Sequence, residues 1–337
     1  MAESTHQRKR NFQTSGQPVG VLYLSMSDRC CIVVTEPLSE ESLKWLRVRA
    51  DVVQCAAGDA GFAEALQSAQ GLIVRTYTQV DQAMLSAAPR LRVVGRAGTG
   101  IDNIDVAACG RMGIAVVNTP AANRQAVVEY VTSILTSTLR PRPKAITSEL
   151  SPEAWSQVRQ EVVMNRQMSE CTFGILGFGQ IGRRIAEVAQ AIGFTVQFCD
   201  VVDIPKNQRH RAAKVDLDTL LHTSDVLSLH IDGRPENRNF LTPALLNLLR
   251  QDVLLLNTSR GFIMRSTDLA RAMTTRPQAQ AILDVHEVEP VPADDPLLTL
   301  PNVTLLPHAA SRTRAAQNAM SWVVRDVLEL IKKKTNA

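Results

Sequence analysis

The chain lacks the features that mark membrane, fibrous or disordered proteins. Its 337 residues contain no apolar run near the ~18 residues that span a bilayer. Hydrophobic residues make up 45%, charged residues 21% and aromatic residues only 4%, which excludes collagen-like, coiled-coil and largely disordered chains. At roughly 150 residues per domain, this length predicts two domains, each with its own core. We expect no membrane partner.

The six cysteines include no C-x-x-C pair, so the sequence predicts no zinc or thioredoxin-like site and no other metal centre. The basic segment Arg8-Lys9-Arg10 precedes a short apolar stretch, but no small-residue cleavage site follows it. We therefore predict a cytoplasmic protein with reduced thiols. Residues 1–29 are polar and aperiodic, and we interpret them as a flexible lead-in.

The excess of positive charge lies at the two ends of the chain. The net charge is +4, of which residues 1–29 and residues 325–337 carry +2 each, so that residues 30–324 are neutral. Nucleic-acid-binding proteins usually carry a basic face on the folded body. The charge pattern therefore argues against a nucleic-acid partner.

Short β-rich runs alternate with helical patterns along most of the chain, which predicts parallel sheets covered on both faces by helices. A first series of strands is expected at 30–35, 51–56, 71–76, 91–96 and 114–118. A helix over 123–139 precedes a second series at 173–177, 195–200, 226–230, 253–257, 281–285 and 303–306. Residues 311–333 are predicted to form one last helix.

A glycine motif after the first strand of the second series points to a dinucleotide. Residues 177–182 read G-F-G-Q-I-G between an apolar strand and a helix, where glycines let the backbone approach a pyrophosphate at the helix N-terminus. Asp200 ends the next strand, where a carboxylate accepts from ribose hydroxyls and repels the 2′-phosphate of NADP. The motif predicts NAD as the cofactor, although the basic stretch 206–214 could lie near a 2′-phosphate.

The strands of the second series end in polar and ionisable residues, at the sheet edge where α/β proteins bind ligands. Oxidation of an alcohol by nicotinamide needs a base for the hydroxyl proton and a cation for the oxygen-bearing end of the substrate. His308 and Arg260 suit these two roles, and Glu289 suits the orientation of the imidazole. His230 and His286 are the alternative bases.

Several segments in the same order resemble the D-isomer-specific 2-hydroxyacid dehydrogenases, from about residue 30 onward. These segments are GRAGTGIDN at 95–103, VNTP at 117–120, the glycine motif, NTSRG at 257–261, LDV at 283–285 through Glu289-Pro290, and PHAA at 307–310. The resemblance implies a catalytic set of Arg260, Glu289 and His308. It also implies that Asp284 meets the nicotinamide carboxamide and that Gln180 and Ile181 touch the pyrophosphate. The cofactor-binding residues expected on this basis are Thr99, Gly177, Gly179, Gln180, Ile181, Gly182, Asp200, His230, Thr258, Ser259, Asp284 and Ala310.

The family has two α/β domains with doubly wound parallel sheets and a cleft between them. The resemblance implies a discontinuous, flavodoxin-like substrate domain over 30–120 plus 312–337, and a Rossmann NAD-binding domain over 121–311. The crossings near 120 and 310 would act as hinges that close the cleft and exclude water. We also expect a homodimer.

The segments that contain Arg75 and Arg96 resemble those of the D-3-phosphoglycerate dehydrogenases most closely. Two arginines at strand ends suit a substrate with two anionic groups. We expect them to bind substrate together with Gly98 and Gly100. Two segments depart from the family pattern: 232–234 reads D-G-R, where Pro-Leu-Thr is usual, and 262–265 reads F-I-M-R. Both are expected beside the cofactor. A C-terminal regulatory domain is not expected.

Three interpretations follow from these observations. The first is an NAD-dependent dehydrogenase of a small D-2-hydroxy acid, with 3-phosphoglycerate as the substrate. The second is a glyoxylate or hydroxypyruvate reductase. The third is a dinucleotide-sensing corepressor like the C-terminal-binding proteins, which share the fold; turnover of a 2-keto acid separates it from the enzymes.

Overall fold

The computed structural model describes residues 29–143 and 145–335, and two parallel β-sheets with flanking helices make up its framework. The lead-in predicted over 1–29 lies outside these residues except for Arg29. The Arg29 guanidinium donates to the carbonyl of Ala50 at 2.7 Å and lies 3.4 Å from the Asp51 carboxylate. In the described ranges, no helix has the length and apolar character needed to cross a membrane.

The first sheet has five parallel strands, and four helices connect them. The strands are β1 (Cys31–Val34), β2 (Asp51–Gln54), β3 (Gly71–Val74), β4 (Val93–Arg96) and β5 (Ala115–Asn118), with helices α1 (Glu40–Arg47), α2 (Phe62–Ser68), α3 (Gln82–Ser86) and α4 (Val106–Arg111). The spatial order β2-β1-β3-β4-β5 is that of flavodoxin-like folds. Ser39, Asp81 and Asp105 begin α1, α3 and α4, because each side chain accepts from the backbone N–H three residues later.

The second sheet has seven parallel strands. They are β6 (Thr172–Leu176), β7 (Thr195–Cys199), β8 (Ala213–Lys214), β9 (Val226–Leu229), β10 (Leu254–Asn257), β11 (Gln280–Leu283) and β12 (Val303–Leu305). Its helices are α5 (Arg124–Leu139), α6 (Pro152–Glu161), α7 (Gln180–Ile192), α8 (Leu217–Thr223), α9 (Pro243–Leu246) and α10 (Ser266–Thr274). The order β12-β11-β10-β9-β6-β7-β8 is doubly wound and reverses between β6 and β9, as in Rossmann folds.

Sequence periodicity predicted every strand of both sheets except β8. This strand has two exposed residues and pairs only with β7, so it carries no apolar run. The central strands β6, β9 and β10 are nearly all buried, because helices cover both faces of a parallel sheet. The predicted fold class, two doubly wound α/β sheets, is confirmed.

The single helix predicted over 311–333 is wrong. The chain forms α11 (Arg314–Ser321) and α12 (Val323–Thr335), with a break at Trp322. The two helices bury different faces: Met320 of α11 packs near Ala126, whereas Val327 of α12 packs on the first sheet. One straight helix cannot present apolar side chains in both directions.

Glycine allows α12 to approach the first sheet closely. A Cβ atom on Gly95 would lie 2.3 Å from a methyl carbon of Val327, and one on Gly71 would lie 3.0 Å from both Val327 and Ile331. The C-terminal helix therefore packs against strands that are more than 200 residues earlier in the chain. The domain boundaries near 120 and 311 stay a prediction.

Candidate active site

Loops at the C-terminal ends of strands from both sheets line one cavity of about 370 Å³. These loops follow β3, β4, β10, β11 and β12, so both sheets present the ligand-binding edge of a parallel sheet to the same space. The volume falls within the range of small-molecule sites. We call this cavity the reaction cleft.

His308 and Glu289 form an ion pair at the reaction cleft. The Nδ1 atom of His308 lies 2.7 Å from Oε2 of Glu289, so the carboxylate accepts the Nδ1 proton and Nε2 is left for a substrate oxygen. The second carboxylate oxygen of Glu289 accepts from the backbone N–H of His286 at 3.0 Å. The sequence prediction that these two side chains act as a pair agrees with this geometry.

Glu289 stays ionised although it is half-buried. Burial by itself raises the pKa of its carboxyl group, but the hydrogen bond and the charge of His308, with the His286 N–H, bring the pKa below its ordinary value. A carboxylate that remains charged stabilises an imidazolium as it forms. The pair is therefore suited to general acid–base chemistry.

The turn that carries His308 is held by a buried carboxylate. His308 has φ of +53°, a left-handed conformation that costs a non-glycine residue free energy. The next two backbone N–H groups, of Ala309 and Ala310, each donate to the Asp284 carboxylate at 2.8 Å, and the Tyr130 hydroxyl donates to it at 3.0 Å. Asp284 is fully buried. Its observed contacts position His308, and its contact with the nicotinamide carboxamide stays a prediction.

Arg260 joins the two sheets across the reaction cleft. Its Nε and Nη2 atoms each lie 2.8 Å from Oδ1 of Asp102, in the loop after β4. Its Nη1 atom donates to the carbonyl of Ser259 at 2.7 Å, and Asn257 donates to the Arg260 carbonyl at 2.9 Å. The Arg260 charge lowers the pKa of Asp102, although burial opposes this shift. Asp102 was not predicted as a site residue, because its partner is 158 residues away.

Arg96 is a largely buried cation that has no hydrogen-bond or ion-pair partner in the described residues. Burial, and then the charge of Arg260, lowers the pKa of Arg96 to about 10, so the side chain is still protonated at neutral pH. Its buried Nε atom has no hydrogen-bond acceptor. Uncompensated buried charge is costly. Two guanidinium groups at one cleft therefore favour an anionic ligand between them.

Gly98 and Gly100 make room for these two guanidinium groups. A Cβ atom on Gly98 would lie 1.3 Å from Nη1 of Arg96, and one on Gly100 would lie 1.5 Å from Nη2 of Arg260. Both glycines therefore take part in the site through the absence of a side chain. Their predicted role in binding the substrate stays a prediction.

Glu36 holds the loop that places Arg75 at the reaction cleft. The Glu36 carboxylate accepts from the backbone N–H groups of residues 75–78 at 2.9–3.3 Å. Burial opposes ionisation of Glu36, but these hydrogen bonds lower its pKa below the ordinary value. The guanidinium of Arg75 donates to the carbonyl of Pro37 at 3.0 Å.

We expect Glu36→Gln to lower the free energy of unfolding at pH 7 by about 1–2 kcal/mol, after allowance for solvent screening of a half-buried group. Because the folded-state pKa is depressed, the contribution is present above the unfolded pKa of about 4.3 and is lost as the pH falls through the folded value. Urea unfolding at pH 7 and at pH 3.5 measures this difference. Glu40→Gln, at an exposed pair with Lys44, is the control. A difference between wild type and Glu36→Gln that is the same at both pH values would contradict the prediction.

The glycine turn at 177–182 leaves space for a phosphate. Gly177 has φ of +93°, and a Cβ atom there would lie 2.6 Å from the backbone of His230. A Cβ on Gly182 would lie 2.3 Å from the Gly177 carbonyl, which is the close helix–strand packing that this motif requires. Gly179, in contrast, faces open space at the N-terminus of α7. The turn therefore fits the pyrophosphate of a dinucleotide.

Asp200 lies at the edge of this glycine turn, directly after β7. Its Oδ2 atom accepts from the Phe178 N–H at 2.5 Å and its Oδ1 atom from the Val202 N–H at 2.8 Å. Two cations of the basic stretch 206–214 are paired locally: Arg209 and Lys214 both contact Asp203, at 3.3 and 2.9 Å. The stretch therefore does not offer these cations to a 2′-phosphate, which favours NAD.

The two alternative histidines are engaged elsewhere. Burial lowers the pKa of His230 to about 3, and its Nε2 lies 2.8 Å from the Ser228 hydroxyl. The Nε2 of His286 lies 2.7 Å from the carbonyl of Leu306 and donates to it. These contacts favour His308 as the base.

Of the other predicted cofactor residues, Thr99 lines the reaction cleft, and the remaining ones have local contacts. Thr99 donates to Asn123 at 2.6 Å, and Gln180 accepts from Arg124 at 3.4 Å. The Thr258 hydroxyl is buried without a hydrogen-bond partner among the described residues, which fits a site that a bound group completes. Ile181 packs its side chain on the core of the second sheet. The Ser259 hydroxyl donates to the side-chain oxygen of Asn257 at 3.0 Å, and the backbone N–H of the buried Ala310 donates to Asp284.

The two departures from the family pattern have compact local structures. Asp232 forms an ion pair with Arg234 at 2.6 Å, and Gly233 leaves no room for a side chain against Asp102. In the other segment, the Phe262 ring lies in the reaction cleft, 4.7 Å from the Arg238 guanidinium. Phe262 therefore forms part of the wall of the reaction cleft, whereas Gly233 packs against Asp102, which lines it.

Most of the chain segment that forms the second sheet matches the model of one known protein family. Residues 133–310 match the family model described as D-isomer specific 2-hydroxyacid dehydrogenase, NAD binding domain. The chain is 31% identical to a D-3-phosphoglycerate dehydrogenase of Archaeoglobus fulgidus over 305 residues, which are 89% of this chain and 57% of that protein. This chain thus spans little more than half the length of that relative.

Two further comparisons cover most of both chains. A (S)-sulfolactate dehydrogenase of Chromohalobacter salexigens is 36% identical over 261 residues, 76% of this chain and 82% of that protein. A crystal structure of the TT0316 protein from Thermus thermophilus superposes with a TM-score of 0.76 at 26% identity, covering 90% of this chain and 97% of the other.

Proposed function

Because this chain belongs to the D-isomer-specific 2-hydroxyacid dehydrogenase family and contains its NAD-binding domain, we propose that it transfers a hydride between NAD(H) and a small D-2-hydroxy acid or 2-keto acid. The observation that supports this most strongly is the His308–Glu289 pair, 2.7 Å apart, in the same cleft as the partly buried Arg96, whose Nε atom has no hydrogen-bond acceptor in the described part of the chain. A proton-transfer group and an anion site share one cleft.

In the oxidation of the hydroxy acid, each side chain of the catalytic set has its own role. Nε2 of His308 takes the hydroxyl proton, and Glu289 stabilises the imidazolium. Arg260 binds the substrate carboxylate and polarises the adjacent carbon–oxygen bond. NAD, when bound, supplies the hydride acceptor; the turn at 177–182, Asp200 and Thr258 would hold it. In the reduction direction the protonated His308 returns the proton to the keto oxygen.

We propose 3-phosphoglycerate as the hydroxy acid, because Arg75 and Arg96 both line the reaction cleft besides Arg260. Three arginines exceed what a single carboxylate needs, and the guanidinium fork suits a phosphate. A panel of 2-keto acids followed by NADH absorbance tests the proposal. Faster turnover of glyoxylate or hydroxypyruvate than of 3-phosphohydroxypyruvate would favour a glyoxylate or hydroxypyruvate reductase instead.

We expect Asp200→Asn to raise the ratio of kcat/KM for NADPH over NADH by at least about tenfold, since the carboxylate that repels a 2′-phosphate is gone. Asn keeps the size and one acceptor oxygen for the glycine turn. Initial rates with both cofactors measure the ratio, and Asp218→Asn, an exposed position on α8, is the control. A wild type that already prefers NADPH would contradict our assignment of Asp200.

We also propose that the chain forms a homodimer through the region of α6. No residue of α6 is buried, and the exposed apolar side chains nearby include Trp155 at 50% and Val163 at 64% exposure. Apolar groups gathered on a surface helix favour a protein contact. Sedimentation velocity tests the dimer, and a monomer at micromolar concentration would contradict it.

A further inference from the structure

A second cavity, of about 800 Å³, opens beside the reaction cleft. The two cavities share Arg75, Thr76, Tyr77, His308 and Ser311 in their walls, so they lie directly beside each other. The rest of the second cavity is lined by the loop after β1 and by the first turns of α1 and α11. We call it the outer pocket.

Three arginines line the outer pocket. Arg312 and Arg314 make no side-chain hydrogen bond or ion pair with any residue in the described ranges 29–143 and 145–335. Arg75, in the loop after β3, lines the same pocket. Burial lowers the pKa of Arg75, attraction to Glu36 opposes this shift, and the nearby charge of Arg312 adds to it. The guanidinium groups thus repel one another across the pocket.

The two carboxylates in the wall offset only part of this charge, and the attraction between Glu36 and Arg75 is the main offset. Glu36 is saturated by the backbone N–H groups of residues 75–78, and Glu40 is paired with Lys44 at 2.8 Å. The net character of the outer pocket is therefore cationic, and a ligand anion would supply the missing partner.

Arg312 is tied to the turn that carries His308. Its backbone N–H donates to the Ala309 carbonyl at 2.9 Å, and Asp284 anchors the N–H of Ala309. The backbone of Arg312 is thus fixed to the turn that carries the proton-transfer group, and its side chain lines the outer pocket. His308 lines both cavities, whereas Arg312 lines only the outer pocket, so the outer pocket begins beside the proton-transfer group.

We propose that Arg312 and Arg314, together with Arg75, bind the distal phosphate, sulfonate or carboxylate group of the substrate in the outer pocket. The proposal rests on the proposed function and specifies its substrate class: 2-hydroxy acids with a second anionic group. Arginine forks bind two oxygens of such a group at once, which a solvated surface lysine does not. Arg312 and Arg314 then determine specificity for the second charge.

The test compares molecules that differ only in the phosphate. Calorimetry measures the binding of 3-phosphoglycerate and glycerate to the protein with NAD+ present, in wild type, Arg312→Ala and Arg312→Ala/Arg314→Ala. We expect each arginine to contribute about tenfold to the affinity for 3-phosphoglycerate and less than about twofold to that for glycerate. Arg312→Lys should recover part of the loss. Arg90→Ala, at an exposed arginine in the turn before β4, is the matched control and should change neither.

Two results would overturn the proposal. The first is an equal loss for both molecules, or no loss, in Arg312→Ala/Arg314→Ala. The second is that inorganic phosphate binds this pocket without competing with 3-phosphoglycerate, which would make it a site for a free anion. NADH oxidation with hydroxypyruvate is measured separately in wild type. If no 2-keto acid is reduced, the proposed function fails, whereas turnover without phosphate selectivity defeats only the outer-pocket proposal.

Discussion

His308→Gln is expected to lower kcat by at least about a hundredfold, the range for loss of a general acid–base group. Gln is close in size and retains a polar end, but it cannot take or return a proton at neutral pH. The Asp284 anchor acts on the backbone of the turn, so the variant should keep its fold. Stopped-flow absorbance with the best 2-keto acid of the panel measures the rate, and NADH fluorescence measures cofactor binding.

His286→Gln is the control for this substitution. The imidazole of His286 donates to the Leu306 carbonyl, a bond that the Gln amide can replace. We expect nearly full turnover in the control and unchanged NADH affinity in both variants. If His308→Gln turns over at close to the wild-type rate, the proton-transfer role must move to another group.

Arg260→Lys is expected to reduce kcat/KM by about a hundredfold to a thousandfold, the scale for removing one preorganised charged donor at a reacting centre. Lys keeps the charge but loses the fork that bonds Asp102 and Ser259 and presents a planar edge to the substrate. The two sheets also lose this contact across the cleft. Steady-state kinetics with hydroxypyruvate and NADH measures the loss.

Rescue by a small molecule separates a substrate contact from a packing effect. In Arg260→Ala, millimolar guanidinium should restore part of kcat/KM, because Gly100 leaves a space of the right shape beside Asp102. Methylammonium should restore less. Arg265→Lys, at an exposed position five residues later, should behave like wild type. Full activity in Arg260→Lys would show that charge without the fork is sufficient, contrary to the prediction.

Local patterns determined most of the fold and the cofactor. Most strands of these two sheets are short apolar runs, because helices cover both faces, and periodicity detects such runs without knowledge of their neighbours. The glycine turn at 177–182 is equally local, since the strand, the turn and the helix that bind a pyrophosphate are consecutive in the chain. His308 and Glu289 followed from strand ends alone, because parallel strands bring their C-terminal ends to one edge.

Only the tertiary structure decided which charges meet. Arg260 pairs with Asp102 across 158 residues, and Asp203 forms ion pairs with both Arg209 and Lys214. No sequence spacing encodes these partners, because the distance between two charged side chains depends on how the two sheets face each other. The arrangement of the two sheets also leaves the buried Nε atom of Arg96 without a hydrogen-bond acceptor in the described part of the chain.

The end of the chain shows the same division. The helical apolar pattern of residues 311–333 predicted one helix, whereas the structure breaks it at Trp322, where the ring packs against Trp45 at 6.0 Å. Helical propensity is a property of neighbouring residues, but the break depends on two separate surfaces, near Ala126 and on the first sheet, that the chain must cover. The sequence alone thus located every strand except β8 and supplied the residue types at the strand ends. The packing of the sheets decided the charge pairs, the outer pocket and the helix break, because these depend on contacts between residues far apart in the chain.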